Sequence, residues 1–545
     1  MTDARIVLRN AELIDGTGAP RRPADVVIAG DRIVEIAEAG TATGEEVVDL
    51  SGLVLAPGFI DCHTHYDAQV LWDPDLTPSC WHGVTTVVMG NCGFGIAPTK
   101  PAYRETMART LENVEGMSVD ALAAGIPWNF ETFPEYLDAV ERQQTRLNVA
   151  VMIGHTPLRT YVLGDEATER AATADEVAEM RRLVGEALDA GAVGFATSKA
   201  SAHAGAWGKP VPSRLAERSE IFDICTSLKE RQKGVVAITK GDEFGVSAFC
   251  ELSQSIDRPI TYTALGTGQG WHDVVERIAD LGGQVWPQLA CRPIVMQLTM
   301  ADPGPLARVP AFTEIVTVPH DQRASILSDP AWRERARADS EVVGWPPFDR
   351  ITVQETETHA ELLDGPTLAE LAQRRGVHPL DVMCDIALAD NLRTRFRVVL
   401  ANADYDELGE MLKEDRLLLG LSDAGAHASQ LCDAVFSTYL LQHWVRETNV
   451  LSLEKAIWRL TGHPASIFGL AGRGTVAPGN SADLVAFDPA TIAVEPMERV
   501  FDLPAGADRL VATSTGIEAV WINGVSTRTG GKDIDGARPG RLLRS

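Results

Sequence analysis

The chemistry in this chain is concentrated in a few short runs. The first is Asp61-Cys62-His63-Thr64-His65-Tyr66-Asp67, directly after the apolar run Gly58–Asp61. In extended backbone, side chains two apart point the same way, so His63 and His65 can converge on one metal ion. The same spacing also occurs as packed core, and a place at the end of a strand favours the metal. A second run is Gly90-Asn91-Cys92-Gly93, where Cys92 is either a soft thiolate ligand for zinc or a small buried apolar residue. A third is Ser422-Asp423-Ala424-Gly425-Ala426-His427. Asp423 there can coordinate a metal, hold its water and take that water's proton, or it can cap a helix. His427 is placed to contact metal or substrate, or to support them with a hydrogen bond. In Gly154-His155-Thr156-Pro157-Leu158-Arg159, His155 is a candidate for polarising a scissile carbonyl or for a supporting role. Arg159 is a candidate for neutralising a substrate carboxylate or for a structural ion pair.

These runs need a scaffold that brings distant segments to one rim. The centre of the chain alternates short apolar strands with amphipathic helices, the pattern of a parallel sheet closed by crossover helices, a (β/α)8 barrel. The eight expected strands are Gly58–Asp61, Val84–Met89, Val149–Ile153, Ala192–Ala196, Gly234–Thr239, Pro259–Ala264, Gln284–Leu289 and Leu417–Leu421. Chemistry in such barrels sits at the C-terminal ends of the strands, where all four runs fall. Ala174–Ala190 reads as one of the intervening helices, with Gly191 as its stop. Two connections, 90–148 and 290–416, are far longer than barrel loops need. The second holds the turn signals Asp302–Gly304 and Trp345-Pro346-Pro347, and insertions of this kind are expected to be lids or substrate-shaping elements. Both ends of the chain alternate short strands with Gly/Asp turns, which predicts one small β domain built from 1–57 and 471–545 around a barrel over 58–470, with an insertion around 295–415.

Composition narrows the function classes. A formal net charge of −27 and a pI near 4.9 exclude nucleic acid and anionic membrane as expected partners. The acidic surface permits a soluble homo-oligomer. The first residues carry no signal-peptide pattern, and no run of about eighteen apolar residues exists to cross a membrane. Eight cysteines are scattered without a CxxC pair, which fits a reducing cytoplasm.

Taken together, PGFIDCHTHYD, VTTVVMGNCGFGIAP, the GH-x3-R stretch, LSDAGAH and TGHPASIFGLAGRGTVAPGNSADLVAFDP resemble the N-acyl-D-amino-acid deacylase (D-aminoacylase) branch of the amidohydrolase superfamily. The resemblance implies a distorted (β/α)8 barrel with a small β-sandwich made from both termini. It also implies Zn2+ held by His63, His65 and Cys92, with Asp423 as ligand and general base. The substrate would be a small amide, an N-acyl amino acid, attacked by water that the zinc has acidified towards a pKa of about 7.

Three departures from the family pattern matter. Lys240 stands where a strand-five histidine is expected, and strand six, Thr261-Tyr262-Thr263-Ala264, has no histidine. Either Lys240 is carboxylated and bridges two metals, with Lys199 the nearest candidate on strand four, or its ammonium replaces the missing cation and helps polarise the carbonyl, leaving one metal. The single metal is preferred, because too few neutral nitrogen ligands remain for a second. The His-Pro-Arg stretch linked to substrate carboxylate binding is also missing from CDAVFSTYLLQHWVRETNV. The same site could serve a cyclic amide or imide, a carbamate or an ester, and a metal-free binding scaffold is the alternative of a different class.

Overall fold

The protein is described from a computed structural model, which covers residues 4–301, 306, 309–363 and 365–544. Asp302–Gly304 lie outside the described residues. Eight parallel strands form one curled sheet in sequence order: Phe59–Thr64, Val84–Met89, Asn148–Gly154, Gly194–Ser198, Val235–Thr239, Ile260–Thr263, Val285–Leu289 and Leu418–Leu419. Each coincides with an expected strand to within a few residues. Helices cover the outer face and side chains fill the inside. The strands are therefore buried on both sides, and they read as continuous apolar runs such as Val149–Ile153.

The barrel is distorted where it closes. The eighth strand has only 2 residues, and the link to the first is the bridge Thr64–Ala424, with the His65 amide donating to the Ala424 carbonyl at 2.7 Å. The first strand runs three residues further than the sequence suggested, so His63 lies inside it and His65 one residue past its end. The helix Ala174–Ala190 falls where its pattern placed it. Thr173 and Glu176 form a reciprocal capping box at its start, and Gly191 at φ +115° ends it.

Both termini build the second layer. Nine strands form one sheet, in which Val54–Pro57 from the N-terminal part pairs antiparallel with Leu484–Phe487 from the C-terminal part. The last residues then leave this domain. The Leu543 amide donates to the Val149 carbonyl at 2.7 Å, so the tail rejoins the barrel beside its third strand.

Pro293–Ala403, with Ser429–Leu431, forms a separate compact unit. It contains a three-stranded antiparallel sheet, with Arg395–Ala401 between Ile294–Thr299 and Ile351–Glu355. Helices such as Pro330–Val343 and Pro379–Ala389 complete it. It has its own core around Phe312, Trp332, Met383 and Phe396, which is why it can stand as a unit.

Candidate metal centre

The first two strands and the eighth deliver their side chains to one point. The metal-ligand atoms of His63, His65 and Cys92 lie within 4.8 Å of one another. His63 and His65 are buried and Cys92 is partly so. His63 Nε2 is 3.6 Å from Cys92 Sγ. Asp423 Oδ1 faces both rings, 3.1 Å from His63 Nε2 and 3.6 Å from His65 Nε2. Its side chain keeps 31% of its surface exposed, so the carboxylate stands at the opening of the cluster. Asp423 caps no helix, since none begins there.

Local backbone explains how the loops reach this geometry. Cys92 and Asp423 sit at φ +54° and +47°, conformations that cost an L-residue free energy and aim each side chain back at the first strand. The neighbouring glycines are required by space. A Cβ on Gly90, at φ +89°, would stand 2.3 Å from the Met152 carbonyl oxygen, and one on Gly425 would stand 2.6 Å from that of His65.

Each imidazole has a side-chain oxygen behind its Nδ1. His63 Nδ1 meets Gln288 Oε1 at 2.5 Å, and Gln288 in turn donates to Thr261 at 3.1 Å. His65 Nδ1 faces Glu115 Oε1 at 3.4 Å. With Nδ1 carrying the proton towards an oxygen, Nε2 presents its lone pair inward, as a metal ligand must. Behind the eighth-strand loop, Ser422 Oγ donates to Asp61 Oδ2 at 2.6 Å.

The cluster is strongly coupled electrically. Burial alone would push the Cys92 thiol up, but the imidazoles of His63 and His65 outweigh it and bring it to about 6. Burial opposes the charged form of His63, yet the Cys92 sulfur and Asp423 raise it to about 10. Burial would also raise Asp423, and the two histidines overcome that and hold it well below the usual carboxylate range. Two imidazoles, a thiolate and a carboxylate drawn together in this way are a donor set suited to a divalent cation, which would take the place of the protons now balancing the charge.

Other expected site residues lie elsewhere. His155 and Arg159 are fully buried and belong to a closed network with Glu220. His155 Nδ1 meets Thr197 Oγ1 at 2.8 Å and its Nε2 meets Glu220 at 2.9 Å, while Arg159 pairs with both oxygens of Glu220 and donates to the Arg170 carbonyl at 2.9 Å. The physical reason is that a helix begins at His155, turning these side chains into the packing against the helix Arg218–Arg231. Neither a carbonyl-polarising His155 nor a substrate-binding Arg159 fits this arrangement.

Lys240 is exposed, and its ammonium donates to Gln269 Oε1 at 3.3 Å instead of joining the histidines. Lys199 Nζ donates at 2.6 Å to the carbonyls of both Arg214 and Ala216. His427 does lie at the cluster, with its Nε2 3.9 Å from Glu115 Oε2.

Glu115, Gln288 and Glu220 were not singled out from sequence. The only signal for Glu115 was the unexplained length of the connection 90–148. Gln288 and Glu220 lie in ordinary strand and helix patterns.

The sequence profile described as the Amidohydrolase family matches residues 46–528. The chain belongs to the amidohydrolase family. Among curated amidohydrolase relatives, a D-aminoacylase from Alcaligenes xylosoxydans xylosoxydans is 31% identical over 95% of this chain and 93% of its own length. A solved D-aminoacylase, described as having a binuclear metal centre with one-metal activation and second-metal attenuation, superposes with a TM-score of 0.68 at 27% identity, covering 99% of each chain. An N-acyl-D-glutamate deacylase from Bordetella bronchiseptica, solved with zinc and a phosphonate that mimics the tetrahedral intermediate, has a TM-score of 0.68 at 26% identity, covering 100% of each chain. Among the described residues, no helix of this amidohydrolase is long and apolar enough to cross a membrane.

Proposed function

We propose that the protein is a metal-dependent deacylase that hydrolyses the amide bond of N-acyl-D-amino acids, using a single zinc ion. The observation that carries this reading is the convergence of His63, His65 and Cys92 within 4.8 Å, with Asp423 against both inward nitrogens. The likeness to D-aminoacylase and to N-acyl-D-aspartate and N-acyl-D-glutamate deacylases over nearly the whole chain supports the substrate class. Two imidazoles and a thiolate suit zinc. One ion is favoured because strand five ends in the exposed Lys240 and strand six presents Thr263, whose Oγ1 lies 3.4 Å from His63 Nδ1 and offers no imidazole.

When bound, the metal supplies a Lewis acid that acidifies water and polarises a carbonyl. The protein's own groups do the rest. His63, His65 and Cys92 would hold the ion, each imidazole fixed by the oxygen behind it. Asp423, at the open side, orients the attacking water and takes its proton as the tetrahedral carbon forms. It then returns that proton to the departing nitrogen as the C–N bond breaks. Lys240, an exposed ammonium just past the fifth strand that donates to the neutral Gln269, would attract the carboxylate of an acyl amino acid. His427 borders the same opening. The eight free cysteines support a reducing, cytoplasmic setting.

The test is metal quantitation on purified protein together with a panel of N-acyl-D-amino acids, their L-enantiomers, cyclic imides and aryl amides. The reading expects about one zinc per chain and turnover confined to the N-acyl-D series. Turnover of a cyclic imide without deacylation would replace the substrate assignment. Protein without stoichiometric metal would make it a binding scaffold.

A further inference from the structure

The connection between the second and third barrel strands carries a carboxylate that no motif announced. Glu115 is the last residue of the helix Arg104–Glu115, and its side chain is 4% exposed. A carboxylate this deep is costly unless polar partners surround it. Its two oxygens face two imidazoles: Oε1 lies 3.4 Å from His65 Nδ1 and Oε2 lies 3.9 Å from His427 Nε2.

The main chain makes a second link. The final carbonyls of a helix lack partners within it. The carbonyl of Glu115 accepts from the His427 amide at 2.5 Å, and His427 sits there in the left-handed region at φ +49°. One residue thus ties the end of the first strand to the loop after the eighth.

We propose that Glu115 is a positioning residue for the metal centre. Its carboxylate accepts from His65 Nδ1, fixing the tautomer in which Nε2 points inward, and its carbonyl sets the loop that carries Asp423 and His427. The structure contains an internal control. His63 has a neutral amide oxygen in the corresponding place, that of Gln288, hydrogen-bonded to its Nδ1 at 2.5 Å. An acceptor oxygen behind the ring is the feature the two imidazoles share, supplied by a carboxylate in one case and an amide in the other. The long connection 90–148 accordingly serves to deliver an acceptor to the back of His65.

The inference rests on His65 being a ligand, so the experiment separates the two. Full-length wild type, Glu115→Gln and Glu115→Met are prepared metal-free. Gln keeps an acceptor and Met fills nearly the same volume without one. Thermal unfolding of the metal-free proteins is recorded, zinc Kd is measured by chelator competition, and the cobalt(II) form gives an absorption spectrum that reports the ligand field.

Glu115→Met is expected to fold, to bind zinc about 10- to 100-fold more weakly, and to show an altered cobalt spectrum. Glu115→Gln is expected to restore Kd and spectrum to near the wild type. Wild type that binds no zinc would overturn the ligand assignment itself. Zinc bound by Glu115→Met with wild-type Kd and spectrum would overturn only the positioning role. So would two variants that both fail to fold, since Glu115 would then be a structural residue alone.

Discussion

His63 Nδ1 and Gln288 Oε1 stand 2.5 Å apart, joining the first barrel strand to the seventh across the interior. The bond leaves His63 one useful nitrogen, and that nitrogen faces Cys92 and Asp423. Gln288→Ala removes the acceptor and frees the ring to rotate. Zinc affinity should fall by about 10- to 100-fold, with a stability loss of about 1–2 kcal/mol from the lost bond. Chelator competition and urea unfolding measure the two separately.

Asp423→Asn keeps the shape of the carboxylate and removes its ability to take a proton. Turnover should drop by about 10²- to 10⁴-fold, while metal content stays close to that of the wild type. Steady-state rates alongside elemental analysis check this, and full activity in the variant would discard the general-base role.

Cys92 offers a pH readout in the metal-free protein. Its thiol is brought down to about 6, so the thiolate is present above that value and is lost as pH falls through it. Alkylation by iodoacetamide should therefore remain fast at pH 7 and slow sharply below pH 6. The other seven cysteines are buried and should lag far behind. Added zinc should protect Cys92, which mass spectrometry of the labelled peptide would show.

Glu220 is the keystone of the closed network with His155 and Arg159. Burial raises its carboxyl, but His155 and Arg159 together hold it below the ordinary value. A depressed carboxyl stabilises the fold above its unfolded pKa, and that contribution fades as pH falls through the folded one. Glu220→Ala leaves Arg159 buried and unpaired, and should cost about 3–5 kcal/mol in urea unfolding at pH 7. The loss should shrink in acid, and zinc content of the folded fraction should not change.

Lys240→Ala tests whether an exposed cation draws in the substrate. KM for an N-acyl-D-amino acid should rise by about tenfold, equivalent to about 1.4 kcal/mol of binding, with kcat little altered. A matched amide lacking the carboxylate should show no difference between variant and wild type.

The barrel was legible because every strand is sandwiched between helices and an interior, which leaves an apolar run bounded by turns. His63, His65 and Cys92 were legible because short spacing and strand ends place them together. Where the reading failed, a tertiary fact intervened. His155 and Arg159 stand next to the right rim in sequence, but a helix begins at His155 and both side chains pack onto Glu220. Glu115 and Gln288 carry no local mark, because what makes them important is the ring nitrogen opposite, 50 residues away in one case and 225 in the other. Lys240 shows the converse. Its position matched a family histidine, while the side chain turned out to the solvent.

Ser422 holds Asp61 across 361 residues of chain, and with it the closing edge of the barrel. During synthesis at about 5–20 residues per second, the two imidazoles and the thiol leave the ribosome about 20–70 seconds before the carboxylate that completes their enclosure. On the proposed assignment, a cation captured in that interval would meet two imidazoles and a thiol on a barrel that has not yet closed. On that assignment, a fragment stopping before residue 423 should leave those three side chains open to whichever soft metal is in excess.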